Sequence, residues 1–158
     1  MLAVAAIAAM PNARALAQGG QPSKPVGAWL TESGHGVIRF APCAVGVCGT
    51  IVGIDRSPGE AMPTDVQGRP QCGLTIFTGS VDQQDGIAEG HIVDPRSGKT
   101  YQAQVWVDAD GRLHLRGYVG LPLLGATQVW RPFEGQIADE CRFAAQPGSN
   151  LLETRSLS

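Results

Sequence analysis

The sequence is short of charge, of aromatic rings and of basic clusters. Charged residues make up 16% of the 158 and aromatics 6%; the twelve basic residues are scattered and the net charge is -2. Without a Lys/Arg block or interleaved basic and aromatic residues, the chain lacks the electrostatic footprint of a nucleic-acid binder. It has no apolar run long enough to span a bilayer. It carries no H-E-x-x-H, no G-x-S-x-G, no phosphate-binding loop and no dinucleotide fingerprint. There is no C-x-x-C, and His35, His91 and His114 are far apart, so neither a metal site nor a cofactor is expected. Turn formers are plentiful instead, with 21 Gly and 11 Pro, and that balance suits a single all-β domain.

"MLAVAAIAAM" opens the chain as an apolar run, and Ala15-Leu16-Ala17 follows as an A-x-A cleavage signal. Residues 1–17 are therefore expected to be a signal peptide, with Gln18 the mature N-terminus and the protein periplasmic or secreted. In an oxidising compartment the four cysteines read as two disulfides. "AVGV" between Cys43 and Cys48 is short enough to join adjacent strands, which pairs those two and leaves Cys72 for Cys141 by elimination.

From Pro25 onward the pattern has period two. Candidate strands cover 26–32, 36–42, 47–54, 72–79, 87–94, 99–107, 112–119 and 125–131. In "KTYQAQVWV", Tyr101, Ala103, Val105 and Val107 share one face, and Thr100, Gln102, Gln104 and Trp106 the other. "TESGHG", "DPRSGK" and "DADG" supply hairpin turns. Eight strands in hairpin sequence with no helix to cover them predict a closed, antiparallel, up-and-down barrel over residues 25–132, a sandwich being the alternative. The connection 55–71 is long enough for a lid or a binding loop. The extension 133–158 shows no pattern and is expected to be largely irregular, loose over its last dozen residues.

In a closed barrel the first strand meets the last. That brings Gly27 and Trp29 to Trp130 and Arg131, with the Arg131 guanidinium expected as a lid over the Trp29 indole, worth on the order of 1 kcal/mol. This G-x-W with a late Arg resembles the lipocalin and calycin signature. The ordered motifs G-x-W-x-T-E, C-x4-C-G-x-I-V, R-P-x-C-G-L, D-P-x-x-G-K-T-Y and G-x-P-L-x-G-x-T-Q-x-W together resemble the bacterial family called domain of unknown function 2147, from Pro25 to about Pro132. The resemblance implies export and a lipocalin-like barrel, and no particular activity. The chain departs from the family pattern at Ala126, where a basic residue is usual, at Gly53, where an aromatic is frequent, and before Arg69, where Asn-Pro is missing.

No catalytic spacing is visible. "DADG" begins like a calcium loop but lacks the later ligands. The three His fall on outward faces, and nothing fixes the separation of Glu32 and Asp94. The expected function is therefore a non-enzymatic binder of a small, apolar or amphipathic molecule. Gly49, Gly53, Gly73, Gly90 and Gly117 would thin the strands to make room, and Arg69, Lys99 and Tyr101 at a rim would orient a polar head group. The alternatives are a packed barrel acting as a protein-interaction or envelope-associated module, and a hydrolase-type enzyme of unknown substrate.

Overall fold

The period-two faces read from the sequence are the faces the chain uses. A computed structural model describes residues 24–144. The expected signal peptide and the last residues, 145–158, lie outside the described residues. Eight strands form an up-and-down antiparallel barrel: β1 (Gly27–Leu30), β2 (Gly36–Cys43), β3 (Gly46–Asp55), β4 (Thr75–Val81), β5 (Ala88–Val93), β6 (Thr100–Val107), β7 (Leu113–Tyr118) and β8 (Ala126–Pro132). β1 closes the barrel on β8 through Trp29 opposite Pro132 and Leu30 opposite Arg131. In β6, Ala103, Val105 and Val107 are buried and Tyr101 is half-buried, so the inward face is the one the alternation indicated.

The fourth strand begins at Thr75 rather than at residue 72. Cys72 is bonded to Cys141, and Leu74 N–H donates to the Gln71 carbonyl, so a turn occupies the place of the strand's first residues. Both disulfides have the expected partners, Cys43 with Cys48 and Cys72 with Cys141.

Past β8 the chain is more ordered than its composition suggested. A 3-10 turn at Asp139–Cys141 leads into β9 (Arg142–Phe143), which pairs in parallel with Ile54 and Asp55. The buried Arg56 holds this segment: Nη2 donates to the Glu140 carbonyl and Nη1 to the Glu60 carbonyl. A two-residue strand has no periodicity to read, which is why the sequence pattern misses it.

The core is a column of side chains inside the barrel. Phe40 lies 5.4 Å from Phe77 and 6.3 Å from Trp130, ring centre to ring centre. Trp29, Ile38, Val47, Ile51, Val105, Leu113 and Leu115 pack around them. One end is sealed. Pro25 is fully buried, and Lys24 reaches Gln83 in the β4–β5 turn, so residues 24–26 cross that end as a strap. Gly27 has φ 132°, which only glycine adopts readily, and this kink joins strap to strand.

Among the described residues, no helix is long and apolar enough to cross a membrane.

Candidate functional site

The interior is not thinned by glycine in the way the sequence suggested. A Cβ on Gly49 would stand 3.0 Å from Phe77 and 3.1 Å from Phe40. A Cβ on Gly53 would stand 2.7 Å from Val37 and 3.1 Å from Phe143. Gly90 lies against the Thr78 carbonyl, and Gly73 sits in a turn at φ 80°. At Gly49, Gly53 and Gly90 the missing side chain admits a neighbour, not a ligand, and Gly73 lies outside the strands. Phe143, from the segment after the barrel, covers the gap at Gly53.

Among these strand glycines Gly117 is the exception. The nearest atom to its Cβ position is the Tyr101 Cβ, at 4.0 Å. Gly117 pairs with Ala103 on one side and Ala126 on the other, and Leu115 pairs with Gln128. Alternation puts Ala126 and Gln128 on the inward face with Trp130, yet both are exposed. Gln128 Oε1 accepts the indole N–H of Trp130 at 2.9 Å, which fixes its side chain toward the barrel axis. Among the described residues, β1 pairs with β8 only at Arg131 and Pro132, and residues 126–128 of β8 have no strand partner on that side. Tyr101, Gly117, Ala126 and Gln128 thus border an open mouth at the end away from the Pro25 strap.

The rim residues proposed from the sequence come to this end, without a hydrogen bond among them. Lys99 closes the β5–β6 turn, two residues before Tyr101, and its carbonyl accepts the Asp94 N–H. Arg69 lies in the 56–74 connection, and that loop reaches the same turn, where Val66 N–H donates to the Pro95 carbonyl. The loop lies beside the mouth and is internally built. Asp65 accepts the N–H groups of Gln67 and Arg69 and the Nε of Arg69 at 2.7 Å. Burial works against the Asp65 charge, but these donors and the Arg69 guanidinium outweigh it and hold its pKa below the ordinary carboxylate value. Arg69 is thus tied to Asp65 through Nε, although its side chain is exposed.

The closing seam departs from expectation as well. Leu30, not Trp29, stands opposite Arg131. Arg131 is therefore on the outer face and exposed, while the indole is buried inside with Nε1 near Gly27 and unpartnered. Among the described residues Arg131 makes no ring contact, so no guanidinium lid forms; strand alternation separates the two groups. What seals the seam is Glu32, whose Oε1 accepts the Val129 N–H at 3.0 Å. Beside it lies a cleft of about 330 Å³ lined by Leu30 to Gly34, Arg112 and Val129 to Arg131.

Several other polar groups have local partners. Asp94 accepts from Arg96 N–H and Ser97 Oγ in its own turn, while Glu32 is engaged at the β1–β8 seam. In "DADG" Asp108 accepts the N–H groups of Asp110 and Arg112, and it also takes Nε2 of His114, at 2.7 Å. The Arg112 N–H first, then His114, hold its pKa down at about 2. His114 stacks on Trp106 at 5.1 Å, and His35 bonds Asp55. Among the described residues no three His, Cys, Asp or Glu side chains converge as metal ligands.

No curated protein and no solved structure matches the chain. Residues 27–131 match a family model described as an uncharacterized protein conserved in bacteria. That span begins at Gly27, ends at Arg131 and takes in every strand of the barrel, and the chain belongs to this family, domain of unknown function 2147.

Proposed function

We propose that this protein is an exported, non-enzymatic carrier that holds a small, partly apolar molecule in the mouth of its barrel. The observation that carries the reading is the contrast within one inward face. Gly49 and Gly53 are crowded by Phe40, Phe77, Val37 and Phe143, whereas Gly117 faces open space beside Tyr101. The occupied depth is therefore shallow. A ligand would rest on Tyr101, Ile92 and the Gly117 backbone, with the Gln128 amide for a polar end. Arg69 and Lys99 at the rim would meet an acidic group. Two disulfides support an oxidising compartment, as does the apolar opening of the chain.

Filling the mouth is the test. Gly117 has an ordinary backbone conformation, so Gly117→Leu is tolerable there. An apolar fluorescent probe is expected to bind the natural protein about one to one and to lose at least tenfold in affinity to Gly117→Leu. Equal binding by both proteins, or none by either, removes the carrier reading. The second reading, a packed barrel acting through its surface, is favoured by the filled core and takes its place in that event.

A further inference from the structure

The β7–β8 connection, Val119 to Gly125, carries four large apolar side chains into solvent. Val119 is 74% exposed, Leu121 64%, Leu123 85% and Leu124 77%. A flexible loop would fold such side chains back onto the barrel. This one is held out. Arg116 Nε donates to the Pro122 carbonyl at 2.6 Å, its Nη2 to the Leu123 carbonyl at 3.1 Å and its Nη1 to Thr127 Oγ1 at 2.7 Å. Leu124 and Gly125 N–H groups bond back to Leu121 and Pro122, closing a 3-10 turn. The guanidinium thus ties down the Pro122 and Leu123 carbonyls while the leucine side chains stay exposed.

The neighbouring charge is basic. Gln102 pairs with Tyr118, so the β5–β6 turn with Lys99 and the β7–β8 connection join adjacent strands at the same end of the barrel. Arg96 is exposed in the same turn, and its Nε lies 3.5 Å from Asp94 Oδ1. Asp94, the one carboxylate of that turn, is engaged by Arg96 and Ser97, which leaves Lys99 as the cation in excess. Val66, also exposed, lies against Gly98 beside them. The surface is a knob, not a groove, and the cleft at the β1–β8 seam is mostly polar and offers no apolar socket for a second copy. A projecting apolar tip flanked by cations matches a fluid, anionic interface.

We propose that Val119, Leu121, Leu123 and Leu124 insert into the surface of an anionic lipid bilayer, with Lys99 and Arg96 against its headgroups. The docking does not depend on a ligand in the mouth.

The test is co-sedimentation of the full chain with vesicles of phosphatidylglycerol and phosphatidylethanolamine, and separately of phosphatidylcholine alone. Every protein compared carries the same N-terminus, checked by mass, so that the apolar opening of the chain cancels. The natural protein is expected to bind the anionic vesicles. The variant Leu121→Ser/Leu123→Ser/Leu124→Ser should lose at least tenfold in partitioning. The pair Arg96→Gln/Lys99→Gln should weaken binding to anionic vesicles severalfold and leave binding to neutral ones unchanged. Should the triple variant fail to keep the natural thermal midpoint, Leu123→Ser alone decides, with an expected loss of roughly threefold or more. Binding unaltered by the leucine substitutions overturns the proposal. So does a natural protein that ignores vesicles but forms a dimer which those substitutions abolish.

Discussion

Glu32 and Val129 lie 97 residues apart in sequence, and the carboxylate of one accepts the backbone N–H of the other at 3.0 Å. β1 ends at Leu30, so the ladder with β8 stops there, and Glu32 supplies by side chain the acceptor that the next strand residue would have given. The Thr-Glu after Gly-x-Trp is thereby explained: Thr31 Oγ1 accepts the Gly36 N–H to tighten the turn, and Glu32 extends the closure. Replacing Glu32 by Ala should cost about 0.5–1.5 kcal/mol. Glu32→Gln, which keeps an acceptor, should cost less than half of that. Urea unfolding of the two variants measures both, and equal losses would show that charge rather than the hydrogen bond matters at the seam.

Trp29 and Arg131 separate in energetic terms because they lie on opposite faces. Trp29→Ala should cost about 3–5 kcal/mol, since it empties part of the core beside Ile38. Arg131→Ala should change stability by less than about 0.5 kcal/mol. A large effect at Arg131 in chemical denaturation would restore the lid that strand alternation denies.

The glycines give a graded set. Gly53→Ala should destabilise by about 1–3 kcal/mol, because its methyl meets Val37 and Phe143. Gly117→Ala should be within about 0.5 kcal/mol of neutral. Thermal midpoints distinguish them, and a Gly117→Ala penalty as large as that of Gly53→Ala would mean the mouth is already full.

The barrel was legible in the sequence because alternation, hairpin turns and paired cysteines are local signals. Tyr101, Ala103, Val105 and Val107 sit on the face their spacing assigns. The position of empty space was not legible. Gly49 and Gly117 look alike in the sequence, and only the aromatic rings across the barrel decide that one is filled and the other is not. The part Arg69 plays within its own loop is not legible for a related reason. Its partner Asp65 sits four residues earlier in a loop whose turn has no strong periodic signature. The contact of Glu32 with Val129 is not legible because its partner comes from the other end of the domain.

Acid should weaken the fold through the same carboxylates. Asp108 has its pKa lowered to about 2 from 3.8, and Asp65 and Asp94 are lowered too. A depressed carboxylate stabilises the fold above its unfolded value and loses that contribution as pH falls toward its folded value. Stability should therefore be level above about pH 5 and fall between about pH 4 and 2. Asp108→Asn should flatten that limb, as read by thermal midpoints across the range. An unchanged slope would mean Asp108 is no better held in the folded state than in the unfolded chain.

The disulfides should differ in weight. Removing Cys72–Cys141, which closes a separation of 69, should cost about 4 kcal/mol, and removing Cys43–Cys48, at a separation of 5, about 2. Double Cys→Ala variants compared by denaturant midpoint check the order.

The longer bridge also changes what a break in the chain means. Between Cys72 and Cys141 lie β4, β5, β6, β7 and β8, so these strands belong to a covalent ring instead of an open thread. A protease that cuts the exposed turn at 82–87 opens the ring at one point and releases nothing. The two halves stay joined through sulfur and stay registered through the ladders on either side. For a molecule read as living outside the cell, a single nick is then a change of connectivity, and the barrel survives it as a permuted version of itself.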